Sequence, residues 1–370
     1  MMAKVNDLLT VVLPLKGRED FTFRTMDYLN ESEFPFRLII ADGSKGETVS
    51  EVLSLAERFP NVNYTYIRYP FDESYSQFYR KMVSALSEVQ TPYVSWIDND
   101  CLPVIEGLCE SVEFLESHAA YSTCRGQHID FKLSPLANGE SSPLQGSSIS
   151  IDQDYFDQED TIWSSFEDDN LLSRISDWSH CANIMFYNVH RIRTLSEVWE
   201  FTLKNDCLDL TSIDLSLALH ALVYGKSKVI DIPFIMRQQN SPDSVSRDMI
   251  GRMDILDRMF LEKWTRDIGQ LVDDIAGKAS EAGNISKAEA FLQIRLALKN
   301  HYADRLFAYL ERRELAKRNS VGASVGGARK MPVSCATGSI TISQPAEAHP
   351  ALRRVVSFLI KDEAGAARAS

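Results

Sequence analysis

No CxxC pair occurs among the six cysteines (Cys101, Cys109, Cys124, Cys181, Cys207 and Cys335), and the seven histidines show no zinc-ligand spacing. Neither a Cys/His metal site nor a disulfide framework is therefore expected, and the thiols read as reduced. No stretch approaches the ~20 apolar residues of a membrane-spanning helix. The apolar run from Leu8 to Leu15 has no small-residue cleavage site behind it, so it reads as a strand and not as a signal peptide. No internal repeat is present. Positive charge is scarce: 39 Lys and Arg stand against 52 Asp and Glu, a formal charge of −13. That balance argues against broad binding to nucleic acid or to anionic membranes, both of which need an excess of cations. The expected setting is the cytoplasm, with any membrane association peripheral to the inner face. An acidic chain that handles phosphates has to borrow a local cation.

Apolar residues, by contrast, are plentiful: 44% of the 370 residues are hydrophobic, enough for a large folded core. From Leu8 to about Cys109, compact apolar runs alternate with helical periodicity, the pattern of a parallel sheet covered by helices. LLTVVLPL, RLIIAD, VNYTYIRY and PYVSWID read as four strands. Helices are expected at DFTFRTMDYLN, Thr48 to Arg58 and Glu73 to Val89. Strands that end on polar residues deliver them to the carboxyl edge of the sheet, where open α/β folds bind ligands. Asp42 and Asp98 both end strands in this way.

Residues 131–177 lose the pattern, becoming rich in Pro, Gly and Ser and then acidic, with Asp152, Asp154, Asp157, Glu159, Asp160, Glu167, Asp168 and Asp169. A solvated acidic loop is the expected form. Order returns over 178–240, where SIDLSLALHALVYGKSKVIDIP reads as a helix leading into a strand. Two amphipathic segments then form a helical hairpin within 241–319, about Val245 to Ala276 and Lys287 to Arg318. The second opens on Ser286 and Glu289, spaced as a capping box. Its mixed charges favour packing within the chain or a homodimer over membrane docking. Residues 320–370, rich in Gly, Ala and Ser, are expected to be a mostly disordered tail with at most a short element near VVSFLI.

The chemistry concentrates at WIDND. Two carboxylates one residue apart, Asp98 and Asp100, can face one ion where the backbone turns, and Mg²⁺ or Mn²⁺ takes such oxygens together with substrate phosphates. Asn99 between them either hydrogen-bonds a ligand or merely permits the turn. Arg237 ends IPFIMRQQ and could offer a planar fork to a phosphate. Arg80 and Lys81 are either phosphate contacts or solvated helix charges; His190 in FYNVHR is expected to pack.

VVLPLKGR, IIADGS, the helix bearing Arg80 and Lys81, and WIDND together resemble the donor-binding half of the GT-A glycosyltransferases, in particular those similar to family 2. The resemblance covers about Leu8 to Pro103, is weaker from Trp178 to Gln239 and is absent from the tail. It implies a Rossmann-type, mainly parallel α/β domain over 1–240, with a nucleotide-sugar-binding half over 1–130 and an acceptor half over 178–240. It implies that Asp42 contacts the nucleobase, that Asp100 binds Mn²⁺ or Mg²⁺, and that Asp98 serves the ribose or the metal. Pro14, Lys16, Arg18, Arg80, Lys81, Asn99 and Arg237 complete the donor-site expectation. The resemblance also implies a catalytic base at the start of the SIDLSLALHALVYGK helix, Asp214 first and Asp209 second, although a residue there could equally serve the helix dipole. Ser212 and Ile213 depart from the acidic character of the stricter family pattern. The implied activity is transfer of a sugar from a nucleoside-diphosphate sugar to a saccharide or glycolipid hydroxyl, with inversion, in surface polysaccharide or glycolipid assembly. Two alternatives remain: a nucleotidyltransferase acting on sugar phosphates, and a non-catalytic relative that binds a nucleotide sugar.

Overall fold

The computed structural model describes residues 5–136, 138–152, 164–181, 185–208, 210–241, 260–282, 285–322 and 339–360. Its first four strands are those expected from the sequence: β1 (Leu9–Leu15), β2 (Arg37–Asp42), β3 (Tyr64–Arg68) and β4 (Tyr93–Trp96). They pair in parallel in the order β3-β2-β1-β4. Helix α1 (Glu19–Glu31) follows β1, α2 (Thr48–Leu53) follows β2, and α3 (Tyr75–Ser87) follows β3. Helix α2 is shorter than expected and ends in a separate 3-10 turn at Ala56–Arg58. Helix α3 starts on a capping box, in which Ser74 accepts from the Gln77 backbone and the Gln77 side chain accepts from Ser74 N–H.

After β4 the sheet continues with mixed pairing that the sequence pattern did not reveal. Strand β5 (Cys101–Pro103) leads into α4 (Ile105–Ser117) and then the long β6 (Tyr121–Leu133). Strand β7 (Ile149–Asp152) pairs antiparallel with β6, which also pairs with β8 (Val189–Arg191), while β8 pairs with β4. The expected loop at 131–177 is thus partly sheet, and α5 (Leu171–Ser179) closes it. Asp154, Asp157, Glu159 and Asp160 lie outside the described residues. Two acids of that run are not merely solvated. Glu167 accepts from Lys228 Nζ (2.8 Å) and from Tyr121 Oη (2.6 Å), and Asp169 pairs with Lys226 at 2.6 Å.

Helices α6 (Ile192–Asn205) and α7 (Leu210–Tyr224) precede β9 (Lys226–Gln238), which runs parallel to β6 and antiparallel to β5. The interior between the sheet and this helical layer is aromatic: Trp199 stacks on Trp96 at 4.9 Å and meets Phe78 edge-on at 5.5 Å. The hairpin consists of α8 (Glu262–Ala282) and α9 (Lys287–Gly322). Helix α8 begins at Glu262 and runs past Ala276 to Ala282, while the opening of the expected helix, 245–259, lies outside the described residues. Ser286 accepts from Glu289 N at 3.2 Å, as the spacing predicted. The hairpin packs within the chain, α8 against α7 and α9 against α5, where Trp178 stacks on His301 at 4.8 Å.

The tail carries more than the short element expected. Strand β10 (Ser339–Ile342) pairs with β7, and α10 (Arg353–Leu359) buries Val355, Val356 and Leu359. Phe358 meets Tyr28 of α1 edge-on at 5.4 Å, so the expectation of disorder does not hold for 339–360. Val356 is wholly buried. Val356→Asp is expected to lower the free energy of unfolding in urea by about 2 kcal/mol or more, because a charge there would have no partner. An unchanged midpoint would mean that α10 adds nothing to the folded state.

Candidate active site

The strand order β3-β2-β1-β4 reverses direction between β1 and β4, and in open α/β sheets the crevice at that reversal receives ligands. The loop after β1 (Lys16, Gly17, Arg18) and the turn after β4 (Asp98, Asn99, Asp100) meet there. Asn99 holds them together: its Nδ2 donates to the carbonyls of Gly17 (3.4 Å) and Arg18 (3.3 Å) and to Thr22 Oγ1 (3.1 Å), and its own carbonyl accepts from Thr25 Oγ1 (2.9 Å). Its amide is thus engaged within the chain, which makes Asn99 more than a permissive turn residue.

Oxygens of Asp98 and Asp100 and the sulfur of Cys101 lie within 4.8 Å of one another. Asp98 is half-buried and accepts from Tyr187 Oη at 2.7 Å. Burial, and then the charge of Asp100, push its carboxyl above the usual range, against the pull of Arg237. Asp100 is buried; its Oδ2 takes Arg18 Nη1 at 3.0 Å and Ser241 Oγ at 3.2 Å. The Cys101 thiol is wholly buried behind it, 3.7 Å from Oδ1. Two carboxylates on one turn, one of them open to the crevice, fit a hard divalent cation such as Mg²⁺ or Mn²⁺; a buried thiol adds little for such ions.

Cations surround the two acids. The Arg237 guanidinium lies 6.0 Å from the Tyr187 ring, and Arg237 pairs with Cys101 in the β5–β9 ladder. Arg24, 4% exposed, donates to neutral acceptors among the described residues, Gln238 Oε1 (2.6 Å) and the Leu144 carbonyl (3.3 Å). Burial lowers its pKa to about 10 even though Asp100 opposes the shift. Phe21 carries both neighbouring guanidiniums, Arg18 at 4.3 Å and Arg24 at 4.8 Å.

Asp42, at the carboxyl end of β2, is fully buried and richly bonded. It accepts from Ser44 N (2.8 Å), Tyr66 Oη (2.6 Å) and Arg68 Nη1 (2.6 Å). Burial pushes its pKa up, but these hydrogen bonds outweigh it and hold the carboxyl below the usual range. The Gly43 that follows has no room for a side chain, since a Cβ would stand 2.5 Å from the Asp72 carboxyl carbon. Lys81 is buried and donates to Asp72 and to the Leu15 carbonyl (2.9 Å). It is therefore not a solvated helix charge; it ties the ends of β1 and β2 together. Arg80 beside it is exposed, Lys16 is exposed with its ammonium 5.5 Å from the Phe71 ring, and Pro14 is half-buried opposite Ala41.

Asp214 is half-buried on α7. It sits in the second turn, since the helix starts at Leu210 and has no acid in its first turn, which removes the helix-dipole reading. Asp209 lies outside the described residues. His190 packs as expected, wholly buried with Nε2 2.8 Å from the Met185 carbonyl, and burial lowers its pKa to about 4.

Several residues of the site were not anticipated. Arg68 could have been, because it ends β3 in parallel register with Asp42. Tyr187 lies three residues before the histidine that drew attention in FYNVHR. Arg24 and Ser241 carry no signal in the sequence, since each reaches the site from a turn of helix or a loop.

No family model matches the sequence, and no curated protein matches it. Among solved structures, TarS of S. aureus is similar over 80% of this chain and 43% of its own, with 14% identity and a TM-score of 0.46. TarS 1–349 in complex with UDP-GlcNAc gives 80% and 73% coverage, 13% identity and a TM-score of 0.45. The mannosyltransferase PcManGT from Pyrobaculum calidifontis, in complex with GDP-Man and Mn²⁺, gives 86% and 80% coverage, 15% identity and a TM-score of 0.40. The chain thus spans less than half the length of the first of these structures. These likenesses are distant, and what the site can do follows from its own geometry.

The bonds to Asp42 have a pH signature. A carboxyl whose folded pKa is depressed contributes stability above its unfolded pKa of about 3.9, and that contribution is lost as pH falls through the folded value. Asp42→Asn should therefore be less stable than the parent in urea at neutral pH, with the gap narrowing below about pH 4. A gap of constant size from neutral to acid pH would show that Asp42 is not held ionised.

Proposed function

We propose that the protein is a metal-dependent glycosyltransferase that moves a sugar from a nucleoside-diphosphate sugar to a hydroxyl acceptor, with inversion. The observation that carries this reading is the pair Asp98 and Asp100 at the β1/β4 reversal, ringed by Arg18, Arg24 and Arg237. Three guanidiniums around two carboxylates leave the pocket short of negative charge, and a cation on the carboxylates deepens the deficit. A diphosphate supplies the missing charge.

In this reading Asp98 and Asp100 hold Mn²⁺ or Mg²⁺. When bound, such an ion neutralises the diphosphate and makes the nucleoside diphosphate a better leaving group. Arg237 and Arg18 offer donors to the phosphate oxygens, with Lys16 and Arg80 at the exposed rim. Asp42, held ionised but wholly buried at the end of β2, serves the nucleobase end of the site in this reading by holding Tyr66 and Arg68 in place. Its neighbours Tyr66 and Arg68 fix its rotamer, and the Gly43 turn lets the chain approach closely. Asp214 is the base that removes the proton of the acceptor hydroxyl as its oxygen attacks the anomeric carbon from the face opposite the leaving group. Asp209 is the alternative base. The acceptor is assigned to saccharides or glycolipids of surface polysaccharide assembly.

A thermal-shift screen against UDP-, GDP-, CMP- and dTDP-sugars, with and without Mn²⁺, tests the donor class, since a ligand bound to the native state raises the melting temperature by mass action. One nucleoside-diphosphate sugar should raise it in the presence of Mn²⁺ and release its nucleoside diphosphate. Asp100→Asn should then cut the release by about 100-fold or more. Asp214→Asn should keep donor binding and lower kcat by about 10²–10⁴. The assignment fails if no donor shifts the melting temperature or is turned over.

A further inference from the structure

Arg18 stands where a helix start would favour Ser, Thr, Asp or Asn. It is the N-cap of α1 at φ 59°, ψ 51°, in the left-handed region, and its side chain caps nothing. Gly17 before it is also left-handed, at φ 71°. A left-handed residue other than Gly is strained and persists only when its surroundings impose it. Here they do: Asn99 grips both loop carbonyls from the acidic turn, and Phe21 lies under the guanidinium.

This conformation directs Arg18 onto Asp100. Nη1 donates to Asp100 Oδ2 at 3.0 Å, while Nε and Nη2 are buried and find no acceptor among the described residues. The Arg18 side chain is 13% exposed and that of Asp100 3%, so the pair is shielded from water. Two buried N–H groups left idle are costly, and a guanidinium fork normally uses them. Arg18 holds one side of Oδ2, and the single hydroxyl hydrogen of Ser241 is shared between that oxygen (3.2 Å) and the Gln238 carbonyl (3.4 Å). A dication on the same oxygen would meet the guanidinium charge at close range in a poorly screened pocket.

We propose that Arg18 is a resident counter-cation of Asp100 that exchanges with a divalent metal, and that the displaced fork then engages the diphosphate of the donor. The inference rests on the metal-site reading above. It assigns Arg18 two successive partners: a carboxylate in the metal-free protein, and a phosphate oxygen once metal is bound. It accounts for the idle Nε and Nη2 as the atoms that receive the anion. Arg18 is thereby a donor-binding residue that links occupancy of the metal site to capture of the donor.

Mn²⁺ binding, followed by the electron paramagnetic resonance of the free ion, tests the exchange without any turnover. Arg18→Met should bind Mn²⁺ about tenfold more tightly than the parent, because the competing charge is gone. Adding inorganic pyrophosphate should tighten Mn²⁺ binding more in the parent than in the variant, because only the parent has a fork to release. Arg18→Gln, which keeps a polar planar end without the charge, should behave as Arg18→Met does and guards against a packing defect. Asp100→Asn should lose the Mn²⁺ site. Equal Mn²⁺ affinities in the parent and both Arg18 variants, with Asp100→Asn defective, overturn the exchange and leave the metal site standing. Absence of Mn²⁺ binding in all of them, or undiminished binding in Asp100→Asn, overturns the metal site and the exchange together.

Discussion

The buried ammonium of Lys81 is the constraint on which the donor side of the site depends. It bonds the last carbonyl of β1 and the carboxylate of Asp72, and that carboxylate lies against Gly43 just past the end of β2. Burial lowers the Lys81 pKa and raises that of Asp72, each opposed by the other's charge, so the pair holds only if both stay in place. Two parallel strands are in this way pinned at the edge where Asp42, Lys16 and Arg18 emerge. A hydrophobic pair of the same volume could hold the strands together, but it would not fix the Leu15 carbonyl and the Gly43 turn at once.

The first hundred residues were legible because each strand and each helix carries its own periodicity, and a parallel β/α unit repeats the same local pattern. LLTVVLPL, RLIIAD and PYVSWID match β1, β2 and β4 closely, and the ends of those strands located Asp42 and the acidic turn. The second half was less legible, for a physical reason. Strand β6 pairs with β7, β8 and β9, partners that lie from about twenty to a hundred residues away, and no local pattern records such pairing. Neither role open to Lys81 in the sequence anticipated its ion pair, because its partner Asp72 comes from the loop before its own helix. For Asn99 the local sequence left a ligand bond and a turn role open; that its amide instead clasps the preceding loop depends on a neighbour eighty residues earlier.

The two halves of the domain meet at the acidic turn itself. The backbone N–H of Gln238 donates to the Asp100 carbonyl at 3.2 Å, and Cys101 and Arg237 face each other across the β5–β9 ladder. Helix α7, with Asp214, feeds directly into β9, whose last two residues are Arg237 and Gln238. The element bearing the proposed base and the turn bearing the proposed metal ligands are therefore joined by one continuous strand, with no flexible loop between β9 and the turn it bonds. Rigid connection of this kind keeps reacting groups in register, where small displacements are costly in rate.

Strand β10 has a consequence beyond the packing of the tail. It covers the outer edge of β7 with four residues, and it is the only cover the described residues provide there. Because its sequence lies far downstream of β7, the edge of β7 waits for its cover through about half of the chain's synthesis. An edge strand that is covered only by a segment so distant in sequence ties the integrity of the sheet to the far end of the chain.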